Sequence, residues 1–181
     1  MRRSMLVAVL VLSMSCQAVV AAAPPAQRFL RIASAGGVYK MTGNIAMPAK
    51  DSVQRLVIDA TGDETTETGI NRHLESAARA LNLYALAGVP NEKVEVVVVV
   101  HAKATPMVLS DDAFRTRFGK RNPDSMLIDD LSRAGVRILV CGQALMHQGY
   151  SVSDVAEGVT ISLSAMTALV ELQSKGYALI P

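Results

Sequence analysis

The chain has no tryptophan, and aromatic residues make up only 4% of it, while half of its residues are hydrophobic. Its core must therefore be aliphatic. Nor is there an excess of one charge. Eighteen basic residues face 16 acidic ones, and without Arg2 and Arg3 at the extreme N-terminus the count becomes 18 − 2 = 16 against 16. A neutral, aromatic-poor chain lacks the electrostatic footprint of a nucleic-acid binder, so nucleic acid is not expected as a partner. No G-x-G-x-x-G or P-loop pattern is present. The polar stretch at residues 61–69 carries Asp63, Glu64 and Glu67, three acids that would repel a phosphate, so no nucleotide or flavin cofactor is expected. No spacing of Cys141, His101 and His147 matches a metal motif, so no metal is expected either. The nine methionines read as leader and helical core residues, not as a copper-binding box.

Cysteine is nearly absent, and the position of the two that exist is informative. Cys16 lies in an N-terminal segment with the layout of a secretory signal peptide. Arg2 and Arg3 come first, residues 5–14 are apolar, and small residues up to Ala23 precede Pro24 and Pro25. The apolar core is too short to span a bilayer. Residues 1–23 are thus expected to be removed, which places the protein in the periplasm or outside the cell, with no membrane attachment after processing. The alternative is a lipoprotein anchored through Cys16, although the usual leucine three residues before the cysteine is missing. Cys141 then remains as the sole cysteine and cannot form an internal disulfide.

What remains is enough for one domain with a real core. Residues 24–52 hold Pro24, Pro25, Gly36, Gly37, Gly43 and Pro48 without sustained periodicity and read as an irregular arm. The domain proper is expected over residues 53–181. Residues 55–59 read as a first strand. Asn71 can cap a helix with apolar Leu74, Ala77, Ala78, Leu81, Tyr84 and Ala85, closed by Gly88 and Pro90. The valine run 94–100 reads as a strand buried on both faces. Ser110 caps a short helix to about Phe118. Asn122 as cap and Pro123 at the first helical position start another, which Gly135 stops. A third strand ends at Cys141, and a short helix follows to about Gln148. Residues 159–161 read as a fourth strand. Ser162 or Ser164 caps a helix with apolar Leu163, Met166, Ala168, Leu169, Val170 and Leu172, and residues 177–180 form a fifth strand. Strands alternating with helices mean an α/β fold with about five mainly parallel strands and helices on both faces.

Cys141 stands where the third strand turns into a helix, at the crevice where open α/β sheets bind ligands. Helix N-terminal N–H groups favour the thiolate, the reactive form. Against this, free cysteine is among the most buried residue types and packs as a small hydrophobe. His101 ends the second strand on the same sheet edge. It can hold or accept the thiol proton, or simply hydrogen-bond its surroundings. His147, six residues beyond Cys141, is expected to face away from it.

Several segments together resemble the DsrE/DsrF-like family, in particular exported single-domain members. They are Val140-Cys141-Gly142-Gln143-Ala144, Asn82-Leu83-Tyr84 with Ala87-Gly88-Val89-Pro90, Val98-Val99-Val100-His101, Asn122-Pro123, and the C-terminal run from Leu163 to Ile180. The resemblance implies a three-layer flavodoxin-like fold and homo-oligomers, trimers or hexamers. Cytoplasmic relatives carry sulfur as a cysteine persulfide, and the matching cysteine here is Cys141. The expected function is an exported sulfur (persulfide) carrier, at most sulfurtransferase-like, with a donor or acceptor protein or a small thiol as partner. The alternative is a non-catalytic oligomeric binding or assembly module with a buried structural cysteine.

Overall fold

The computed structural model describes residues 25–181; the leader and Cys16 lie outside the described residues. Five strands form one parallel sheet in the order β4-β3-β2-β1-β5. They are β1 (Gln54–Ala60), β2 (Val94–Val100), β3 (Arg137–Cys141), β4 (Val159–Ser162) and β5 (Ala178–Ile180). The helices are α1 (Arg72–Leu86), α2 (Asp111–Phe118), α3 (Ser125–Arg133), α4 (Gly142–His147) and α5 (Ala165–Ser174). Short 3-10 turns at Asn91–Lys93, Ala102–Val108 and Val152–Asp154 join them.

Period-two alternation sorts the strand residues into two cores. Ile58, Val96, Val98, Val100, Ile138 and Val140 pack with α1, α3 and Leu145 of α4. Val57, Val97, Val99 and Cys141 pack with Ala165, Ala168 and Leu172 of α5 and with Tyr177. The valine run of β2 is buried from Val96 to Val100 because both its faces are covered. This is the three-layer α/β fold expected, but the layers are unequal, since α5 alone is the long helix on the second face.

Three local readings differ from the structure. Helix α3 begins at Ser125, not at Pro123. The Asn122 side chain is committed elsewhere: Oδ1 accepts from the Asp124 N–H at 2.9 Å, and Nδ2 donates to the carbonyls of Met107 and Leu109. That staple shapes a turn ahead of the helix. Of the two caps read for α5, Ser164 is the one used, so Leu163 precedes the helix instead of belonging to it and is 75% exposed. The described methionines are mostly not core. Met107 is buried, but Met41, Met47, Met126, Met146 and Met166 are exposed. Met41 and Met47 lie in the irregular segment before β1, and for Met126, Met146 and Met166 helical periodicity does not say whether their side is covered.

The segment preceding β1 makes one antiparallel bridge, Arg28 to Val38. It is tied down by Asn82 of α1, which is fully buried. Its Oδ1 accepts from the N–H groups of Leu30, Arg31 and Ile32, and its Nδ2 donates to the carbonyls of Ile32, Ala35 and Gly36. One amide side chain thus replaces the secondary structure that this segment lacks.

Candidate functional site

Parallel strands place all their C-terminal ends on one edge, and the sequence-derived candidates gather there. Cys141 is the last residue of β3, paired with Ser162 of β4. It is also the N-cap of α4, with φ −68° and ψ 113°. Its Sγ accepts from the Ala144 N–H at 3.4 Å. The sulfur thus takes the place that a serine or aspartate oxygen usually fills at a helix start, facing N–H groups that would otherwise lack partners. The turn depends on Gly142, where an added Cβ would lie 2.9 Å from the Ser162 carbonyl oxygen. Cys141 is only 6% exposed. Beside it, Gly142, Met146, Val152 and Leu163 line a shallow cleft of about 290 Å³ with Tyr150 and Ile161.

His101 directly follows β2. Its Nε2 lies 2.7 Å from Oδ1 of Asp59 on β1, with both side chains 26% exposed. The imidazole is therefore held by the strand on the side of β2 away from β3. No hydrogen bond joins it to Cys141 among the described residues, so the structure places the two on neighbouring strand ends without linking them. No local signal in the sequence marks Asp59; its place on the same sheet edge as His101 follows from the β1–β2 register. His147 is exposed at the end of α4.

The residue after His101 is strained. Ala102 has φ +51°, a left-handed conformation that costs an L-residue roughly 1–2 kcal/mol. Its carbonyl accepts from the Thr105 hydroxyl at 2.8 Å and from the Gln148 amide at 2.7 Å. Gln148 is the C-cap of α4. The helix that starts on the Cys141 sulfur therefore ends on the turn that follows His101. Among the described residues no group of three or more His, Cys, Asp or Glu side chains is arranged to hold a metal ion, and no helix is long and apolar enough to cross a membrane.

The model of the DsrE/DsrF-like family matches residues 55–181. Among solved structures, the chain is similar to MTH1491, a protein of unknown function from Methanobacterium thermoautotrophicum, at 25% identity and a TM-score of 0.55. That match covers 70% of this chain and 97% of the other. It is also similar to the ychN protein from E. coli, at 16% identity, a TM-score of 0.50 and the same coverage, a likeness of fold alone. No curated protein matches the chain.

Proposed function

Since the chain belongs to the DsrE/DsrF-like family, which is associated with sulfur relay, we propose that it is an exported persulfide carrier with Cys141 as the sulfur-bearing residue. The observation that carries this reading is the N–H group of Ala144 directed at Sγ. A helix N-terminus stabilises negative charge on sulfur, which both a thiolate and a persulfide anion need. In the transfer step, the Cys141 thiolate attacks the outer sulfur of a donor persulfide. The donor's S–S bond breaks, a new S–S bond forms on Cys141, and the donor leaves as a thiolate. No electrons are gained or lost overall, and the proton of the Cys141 thiol ends on the released donor. Delivery to an acceptor thiol is the same exchange in the next direction. His101 is the proposed proton relay. Asp59 engages Nε2 and leaves Nδ1 as the ring atom for that task.

The partner is a donor or acceptor protein, or a small thiol, approaching over the apolar cleft at Met146 and Leu163. A second copy of the chain is proposed to cover α5, whose Met166 and Val170 are 77% and 61% exposed one helical turn apart. One observation favours the rival reading, a binding or assembly module with a structural thiol: Cys141 is 6% exposed.

Intact mass spectrometry of protein isolated from its own compartment separates the two. The carrier shows an added mass of about 32 Da, lost on reduction and absent in Cys141→Ser. A thiol that resists alkylation until the protein is unfolded, with no added sulfur, establishes the binding module instead. N-terminal sequencing tests export: a mature chain starting between residues 21 and 25 supports it, and one starting at Met1 overturns it.

A further inference from the structure

On the α1–α3 side of the same sheet edge lies a second pocket, of about 320 Å³. This is at the small end of the roughly 300–1,000 Å³ typical of ligand sites. It is independent of Cys141, which packs with α5 on the other face. Loops after β1 and β2 and the start of α3 form it, and Asp124 anchors it. Asp124 is only 4% exposed. Its Oδ1 accepts from the Asn71 N–H at 2.7 Å, and Oδ2 has no protein donor among the described residues. Oδ2 is not sealed from solvent, so this oxygen stays free to accept a further donor.

The rest of the lining is divided by charge. Asp63 adds a second acid, while Lys103 and Lys120 supply two ammonium groups. Neither lysine is in an ion pair among the described residues. The nearby arginines differ, since Arg121 is held by Asp111 and Arg115 by Asp112. Phe114 and Phe118 form an apolar wall, with ring centroids 4.5 Å apart.

We propose that this pocket binds a small zwitterion on an apolar frame, a free α-amino acid, with Asp124 holding the ammonium and Lys103 and Lys120 the carboxylate. A pure anion such as phosphate meets the two acids, and a simple amine leaves both lysines unused. The phenyl wall suits an aliphatic side chain.

The test is calorimetric titration of the full mature protein with L-leucine, its decarboxylated analogue isoamylamine and its deaminated analogue 4-methylpentanoate. Leucine should bind saturably, and each analogue should bind at least roughly tenfold more weakly, the loss of about 1.4 kcal/mol expected for one charged contact. Asp124→Asn keeps an acceptor for the Asn71 N–H, so it should fold, and it should bind leucine at least tenfold more weakly. Lys103→Ala with Lys120→Ala should remove the preference for leucine over isoamylamine. The proposal is overturned by absence of saturable binding at millimolar leucine, by analogues that bind equally well, or by an Asp124→Asn protein that binds as the parent does.

Discussion

Asp124 shows how one residue can oppose stability. Burial pushes its carboxyl up to about 6, partly offset by the hydrogen bond from the Asn71 N–H. Well below the ordinary value of 3.8 the group is neutral in both folded and unfolded chains, and nothing is lost. Between pH 4 and 6 the unfolded chain ionises first, so stability falls as pH rises. Above about pH 6 the full penalty applies, about 3 kcal/mol for a shift of some two pKa units. Asp124→Asn should therefore raise stability by about 1–3 kcal/mol at pH 7 and leave it unchanged at about pH 3, as measured by denaturant unfolding at both values. No gain at pH 7 would mean that the folded protein stabilises the charged carboxylate. Ala102 offers a second test. Ala102→Gly relieves the left-handed strain but adds freedom to the unfolded chain, so a net gain of about 0.5–1 kcal/mol is expected. A loss would show that the Ala102 methyl group packs usefully.

At the scale of elements, α1 does two jobs. Its inner face closes the core through Leu74, Ala77, Ala78 and Leu81, and Asn82 pins the preceding segment to the domain. Asn82→Leu leaves three N–H and three carbonyl groups without their partner. It should cost about 3 kcal/mol or more, and the amides of Leu30, Arg31 and Ile32 should lose hydrogen-exchange protection while β2 keeps its own. Unchanged protection at those amides would remove Asn82 from this role. Gly36, whose carbonyl accepts from Asn82, also meets the backbone of the same helix. It has φ +69°, and a Cβ there would come within 2.3 Å of the Arg79 nitrogen, so Gly36→Ala should free the same segment. Helix α4 is the matching element at the thiol. Six residues long, it joins the Cys141 sulfur at one end to the Ala102 carbonyl at the other. Gln148→Ala should thus alter alkylation of Cys141 as well as the turn after His101, and an unchanged labelling rate would uncouple them.

For the whole molecule, the asymmetry of the layers sets the expectation. Helices α1 and α3 close one face of the sheet, whereas α5 covers the other alone and presents Met166 and Val170 outward. If a second copy covers that stripe, light scattering at micromolar concentration gives a mass above the monomer. Met166→Glu with Val170→Glu then shifts it to the monomer without loss of helical signal. A monomeric parent, or an oligomer indifferent to both changes, assigns the stripe no role in assembly.

The alternation of strands and helices, the caps Asn71 and Ser110, the glycine stops and the double-sided burial of β2 are local or periodic properties, and they are legible in the chain itself. The position of Cys141 at a strand-to-helix corner is legible for the same reason, because a strand end and a helix start are both short-range signals. What the chain could not supply is anything that depends on which strands are neighbours. The β4-β3-β2-β1-β5 order put Asp59 beside His101 and so gave the imidazole its partner. The start of α3 moved because the Asn122 amide reaches back to Met107 and Leu109, and Met126, Met146 and Met166 came out exposed because only packing decides which helix side is covered. Burial of Asp124, and with it the second pocket, likewise arises only when the β1 and β2 loops close over the start of α3. Hydrogen bonds to backbone far along the chain and the desolvation of a carboxylate are properties of the assembled molecule, with no local pattern to announce them.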